Sequence, residues 1–501
     1  HWRLTTPSKP LICELLGKSK INLMDYKFLT KPYKHQEDAF NASAECSTYA
    51  LLMDMGTGKT KVALDTAAYL YEEKEIDFVL IVAPKTVIAN WVPEIHKHLP
   101  DRFPNKILLW KPSLTKAMRK SLNNLFQDGD GLKCLLMNVE AFSTRKGVEV
   151  ASLFVKKFKV FMVVDESTTI KNRKAKRTKA LCDLGRGARY RRILTGSPVT
   201  KSPLDLFSQL NFLDPDILGF TSYYAFQGRY AIVQRRTLGS HSFNHIVGFR
   251  RLDELTAKLE KHSFRVRKED CLDLPDKVYV KRDIELTKEQ KKAYDQMTHL
   301  ALAHLDSGEL STTKNVLTQI MRLQQICCGH LTDDEGVVHE LPSKRLDMLL
   351  DLCEEIQGKA IIWATWTMDI RSIADALRDR YSVQAVAKLH GETPDSERQE
   401  IVETFQDRQS DLRFLVGHPK TGGYGLTLTA ANTVIYYSNS YDLELRLQSE
   451  DRAHRIGQTS KVTYIDLISP STVDEKIVRA LRSKINIADQ ILGEQTREWL
   501  Q

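Results

Sequence analysis

Residues 49–60 read YALLMDMGTGKT: an unbroken apolar run that meets an acid, passes through a glycine turn and enters the helical pattern KTKVALDTAAYLY at 59–71. A buried strand feeding such a turn and a helix N-terminus is the arrangement that phosphate groups require. Gly56 and Gly58 carry no Cβ, so the backbone N–H groups around Thr57 can approach an anion, and the helix start adds its partial positive charge. Lys59 is then placed to reach β- and γ-phosphates, and Thr60 to offer its hydroxyl to Mg²⁺. A small residue is usual where Met53 stands, so the match to the strict eight-residue phosphate loop is partial.

Working outward, the other half of such a pocket should be an acid at the end of a second buried strand. FMVVDEST at 161–168 supplies it. Asp165 is the expected metal-holding carboxylate, and Glu166 the group that orients and deprotonates an attacking water. An apolar run ending in Asp-Glu is weak evidence alone, because strands often end in solvated acids. Together with Lys59 it points to the C-terminal edge of one open α/β sheet, where such sheets bind ligands.

Further apolar runs of strand length alternate with helical patterns in two regions. From 48 to 215 they are YALLM, FVLIVA, CLLMNV, FMVVD and RILTG; from 345 to 470 they are AIIWAT, RFLVG, TVIYY and VTYIDLI. That spacing predicts two α/β lobes with parallel sheets and crossover helices. Between them the chain is polar and rich in Arg and Lys, with helical stretches such as LTKEQKKAYDQMTHLALAHL at 286–305. The expected division is an N-terminal extension at 1–30, a first lobe at 31–215, a helical insertion and linker at 216–340, a second lobe at 341–480 and a C-terminal helical tail at 481–501.

At 501 residues and 42% hydrophobic content, the chain is neither a disordered tail nor a disulfide-stapled module. Its net charge of +9 implies a polyanionic partner only where the charge is clustered. The eight cysteines include no C-x-x-C pair, and free thiols are expected. Cys327, Cys328 and His330 lack the second distant ligand pair that structural zinc needs. No apolar stretch approaches the roughly 18 residues of a membrane span. The first residue is His1, so a trimmed chain is expected.

These motifs, in order, resemble the ATPase motifs of helicase superfamily two: GTGKT, DEST followed by IKN, and LTGSP at 194–198. Other segments resemble the Swi/Snf-type DNA translocases in particular. They are LTGSPVTKSPLDLFSQLNFLDP at 194–215, RLQQICCGH at 322–330, LHGETPDSERQEIVETF at 389–405, TGGYGLTLTAANTVI at 421–435 and QSEDRAHRIGQ at 448–458. The resemblance spans about 31–480 and implies an α/β fold of two RecA-like parallel-sheet lobes, with ATP and Mg²⁺ as cofactors. It implies that Gln36, in PYKHQ at 32–36, contacts the base, and that Arg452 and Arg455 face the nucleotide from the second lobe, with Gln448 at the start of their motif. Where the family often has His at the fourth position of DEAH or DESH this chain has Thr168, which puts that residue's coupling role in question. Thr427 replaces a common Asn, and His418, Pro419 and Lys420 replace small residues.

Between Lys171 and Arg192 ten basic residues face one acid, a local excess equal to that of the whole chain. Lys171, Lys174 and Arg177 are therefore candidates for phosphate contact, set against the ordinary reading of a solvated helix face. Lys85, Thr86 and Asn90 in APKTVIANW, and Lys420, Thr421, Gly422 and Gly423 in the second lobe, are further candidates that would hold a backbone without reading sequence. Trp91 reads as a packing residue rather than a base-stacking wedge. The expected function is a DNA-stimulated, ATP-driven translocase on double-stranded DNA with little sequence preference and no membrane partner. The alternatives are a fork-remodelling or annealing helicase, an ATP-gated clamp that does not travel, and, disfavoured, an RNA helicase. The compact build favours the cytoplasm of a bacterial or viral host cell, or the nucleus in a eukaryote.

Overall fold

A strand can be apolar at every position only where both faces of its sheet are covered, and FVLIVA is buried at all six residues of Phe78–Ala83. The computed structural model describes Leu23 and residues 26–491 apart from 86, 100–104, 114, 128, 221, 239–240, 272–273, 307–312, 334, 392, 421–425 and 456. In its first half the strands are β1 (Thr48–Met53), β2 (Phe78–Ala83), β3 (Asn105–Leu109), β4 (Leu132–Asn138), β5 (Val160–Asp165), β6 (Tyr190–Leu194), β7 (Ala231–Leu238), β8 (His241–Phe249) and β9 (Ser263–Val266). Seven of these form one sheet in the order β3-β4-β2-β5-β6-β1-β9. Every pairing in it is parallel.

The second half holds β10 (Lys277–Asp283), β11 (His330–Thr332), β12 (Val338–Glu340), β13 (Lys359–Trp363), β14 (Val386–Leu389), β15 (Phe414–Gly417), β16 (Ala431–Tyr436) and β17 (Val462–Ile468). Six make a second parallel sheet, β10-β17-β16-β13-β15-β14. Each sheet carries an apolar cluster on both faces, as crossover helices demand. Two α/β lobes with parallel sheets are thus what the chain forms.

The segment at 216–340 is less purely helical than its composition implies. It contributes an edge strand to each sheet, β9 against β1 and β10 against β17, so the chain crosses between lobes within 267–276. SFRV and KVYVKRD mix charges into the run because edge strands are only partly covered. The same segment holds the antiparallel hairpin β7–β8 and the helices Lys288–Asp306 and Thr313–Cys328. The helix Val473–Ile491 carries the end of the second lobe into the expected tail. The seven described cysteines are free thiols, His330 pairs with Asp369, and no metal-holding cluster occurs among the described residues. No helix among the described residues is long and apolar enough to cross a membrane.

Candidate nucleotide cleft and nucleic-acid interface

The glycine turn follows β1 directly, and the helix Lys59–Glu72 begins at its end. Gly58 lies at φ 93°, a left-handed conformation, and a Cβ there would stand 2.1 Å from Gln36 Nε2. Glycine is therefore required twice over, by conformation and by space. Gln36 braces this turn: its Nε2 donates to the Thr57 carbonyl at 3.0 Å while its Oε1 accepts from Tyr33 N–H at 3.1 Å. His35 Nε2 donates to the same carbonyl at 2.8 Å. The residue expected to contact a base is thus committed to holding the loop, although it also lines the cleft. Lys59 Nζ donates to Met53 O at 2.7 Å and Asp54 O at 3.2 Å, which folds the ammonium over the loop's own carbonyls. Gly196, in the loop after β6, passes under this turn; a Cβ on it would lie 3.2 Å from Asp54 Cα.

Asp165 ends β5 and is buried with both oxygens engaged: Oδ1 accepts from Glu166 N–H at 2.9 Å and Oδ2 from the Trp91 indole N–H at 3.0 Å. Trp91 is a packing residue, as expected, but it also orients the acid. The Trp signal was present in the sequence, next to Asn90; its partner was not, because the two lie 74 residues apart. Glu166 adopts φ 46°, left-handed for a residue that has a Cβ. Such backbone costs on the order of 1–3 kcal/mol and gathers at functional sites. Burial pushes its carboxyl up to about 7, with Asp165 and Glu444 adding to the rise and Lys59 and Arg452 opposing it. Burial likewise raises the Asp165 carboxyl.

These groups line a cleft of about 690 Å³ together with Thr60, Asn90, Trp91 and, from the second lobe, Arg455. Arg455 reaches the phosphate loop: a Cβ on Gly56 would lie 3.5 Å from its Cγ. Arg452 behaves differently. It is fully buried in its own lobe and donates Nη1 to Leu426 O at 3.2 Å, reaching the cleft through its charge on Glu166. Gln448, on the helix Leu443–Ala453, faces Glu166 across a smaller interlobe cavity.

Between the lobes lie contacts that the motif reading did not contain. Thr168 Oγ1 donates to Glu444 Oε1 at 2.6 Å, and Lys171 Nζ reaches Glu444 Oε2 at 3.2 Å and Thr200 Oγ1 at 2.6 Å. Gln448 Nε2 donates to the same Glu444 at 3.4 Å. Threonine at the fourth position of DEST therefore still touches the second lobe, through a carboxylate one helical turn before Gln448; that i, i+4 spacing was the available signal. In the crossover segment, Lys268 Nζ pairs with Asp451 at 2.8 Å and donates to His454 O at 3.0 Å, while its N–H donates to Asp54 at 3.1 Å.

The basic segment is not one patch. Arg192 is wholly buried and donates to Ser43 O, Arg189 pairs with Glu75, Arg186 with Asp183, and Lys171 faces the other lobe. Arg173 stacks on Tyr223 and Tyr224, 4.1 and 4.9 Å from their ring centres. Arg177 Nε donates to Thr169 O at 2.9 Å. Lys174, Lys176 and Lys179 are exposed. Lys85, Asn90 and Lys420 are exposed as well, whereas Thr86, Thr421, Gly422 and Gly423 lie outside the described residues.

The domain family described as SNF2-related domain matches residues 33–331, and the helicase conserved C-terminal domain matches 344–457. Nuclear protein STH1/NPS1 of Saccharomyces cerevisiae is 28% identical over 465 residues, 88% of this chain and 33% of that protein. The human SWI/SNF-related matrix-associated actin-dependent regulator of chromatin subfamily A member 1 is 27% identical over 469 residues, 89% of this chain and 41% of that protein. The chain therefore spans less than half the length of either relative. A solved structure, the Sulfolobus solfataricus SWI2/SNF2 ATPase core in complex with dsDNA, is similar at 25% identity and TM-score 0.42, over 93% of this chain and 94% of that one.

Proposed function

This chain belongs to the SNF2-related family, and on that premise we propose that it hydrolyses ATP and uses the cycle of lobe closure to translocate along double-stranded DNA, remodelling DNA or protein–DNA complexes. The observation that carries the proposal is the meeting of Lys59, Asp165 and Glu166 from one lobe with Arg455 from the other around a single cleft.

In this reading the turn at 56–60 cradles the triphosphate and Lys59 leaves its carbonyl partners for the β- and γ-phosphates. Thr60 and Asp165 would hold Mg²⁺; one hydroxyl and one carboxylate suit an ion that takes its remaining ligands from phosphate and water. When bound, Mg²⁺ neutralises charge on the phosphate oxygens. Glu166, kept in a strained conformation with a raised carboxyl pKa, accepts the proton of the attacking water. Arg455 steadies charge developing on the γ-phosphate, so hydrolysis depends on the lobes meeting. The contacts of Glu444 with Thr168 and Lys171 tie that meeting to the strand-end acids. Duplex DNA as the track, with little sequence preference, is supported by family membership and by the exposed lysines of the 174–179 segment.

The test is the ATPase rate with duplex DNA, single-stranded DNA and RNA of several lengths, together with displacement of a third strand from a triplex. Duplex stimulation that grows with length, and displacement without unwinding, are expected. Stimulation independent of length would replace the translocase with a stationary clamp, and strand separation would replace it with a helicase.

A further inference from the structure

Among the described residues, the hairpin β7–β8 is joined to no other strand. Strands of this length, eight and nine residues, make a ribbon roughly 26 Å long at ~3.3 Å per residue. A lone two-stranded ribbon is marginally stable in water and leaves both edges open. Its base is anchored: Ile246 and Phe249 lean on the core of the first lobe, and Arg250 donates to Gly228 O at 2.7 Å and Arg229 O at 3.3 Å. Gln234, Arg235, Asn244 and His245 are exposed, with Gln234 paired to His245 and Arg235 to Asn244 across the ribbon.

Its chemistry is one-sided. From Ala231 to Arg251 the sequence AIVQRRTLGSHSFNHIVGFRR contains four arginines, two histidines and no acid. The polar types that alternate with them, Gln, Asn, Ser and Thr, are those that bond phosphate oxygens and base edges. The ribbon also grows from the helix Tyr223–Tyr230, whose first two tyrosines stack on Arg173 of the basic segment. A two-stranded ribbon is narrow enough to enter the major groove, about 12 Å wide. Its reach is comparable with one turn of duplex, about 34 Å.

We propose that β7–β8 is a second nucleic-acid contact, a basic ribbon that grips the backbone and groove of duplex DNA up to a helical turn away from the segment around Lys174. The proposal rests on the translocase reading above, and gives it a grip that lies outside the motifs of the two lobes. Exposed Ile232, Val233 and Val247 near the base would suit instead a protein strand adding to the ribbon edge; the acid-free composition favours the polyanion.

The test compares the full chain with Arg235→Glu/Arg236→Glu and with the milder Arg235→Ala/Arg236→Ala, measuring affinity for a long and a short duplex as salt is varied, and DNA-dependent ATPase. Reversal is expected to weaken long-duplex binding about tenfold or more at low salt and to flatten the log–log salt slope by about two. The alanine pair should show the same changes at smaller size, with kcat at saturating DNA unchanged in both. Wild-type affinity and slope in both variants would overturn the ribbon contact and leave the protein-strand occupant, with the translocase reading intact. A wild-type chain that neither binds duplex nor responds to it would overturn both.

Discussion

The two walls of the cleft are built on different principles. On the first lobe three elements are held within that lobe: Lys59 by Met53 and Asp54, Asp165 by Trp91 and the Glu166 amide, and the turn itself by Gln36 and His35. On the second lobe Arg455 lines the cleft beside Gly56 of the first, while its neighbour Arg452 is buried in its own lobe. In the proposed function the first wall is a pocket held within one lobe, from which Lys59 turns toward the phosphates, and the second is a gate. In the proposed function that asymmetry assigns binding to one lobe and hydrolysis to the meeting of two.

The largest effect should come from the pocket wall. Lys59→Ala removes the cation over the phosphates, and ATPase is expected at background with ATP binding lost by equilibrium titration; wild-type affinity would mean the turn is not the phosphate site. Next, Glu166→Gln should bind ATP normally and turn over about 10²–10⁴-fold more slowly, the usual contribution of a positioned base. Equal turnover would move the base elsewhere.

A smaller effect probes the seam between the walls. Glu444→Gln keeps an acceptor for Thr168 but loses the ion pair with Lys171 and one negative neighbour of Glu166. Since Glu166 must be ionised to accept a proton, turnover should rise with pH through the region of its raised value, near 7. Removing a neighbouring negative charge lowers that value, so in Glu444→Gln the acid limb should move to lower pH, with a severalfold change in DNA stimulation. An unmoved limb would uncouple Glu444 from the chemistry. The smallest change is expected from Lys174→Glu with Arg177→Glu: modestly weaker duplex binding and a salt slope flatter by about one to two. An unchanged slope would make that segment a solvated surface.

The same asymmetry explains what could be read from the chain. Central strands such as FVLIVA and FMVVD are legible because burial on both faces forces continuous apolar runs. The edge strands Asn105–Leu109, Ser263–Val266, Lys277–Asp283 and Val386–Leu389 escape because partial exposure admits charge. The pocket wall is legible because its spacing is local, within 53–60 and 161–168. The seam is not: Thr168 and Glu444 are 276 residues apart, and Trp91 and Asp165 are 74 apart. Charge counting misleads between 171 and 192 because a sequence does not reveal that Arg192 points inward or that Lys171 faces another lobe.

Arg455→Ala tests the division between pocket and gate most directly, by single-turnover hydrolysis with ATP affinity measured on the same protein. Affinity within a few-fold of wild type and a hydrolysis step slowed by about 10³ or more, the range of an arginine finger, are expected. Undiminished single-turnover hydrolysis would contradict that division, because the first lobe would then be a complete catalyst.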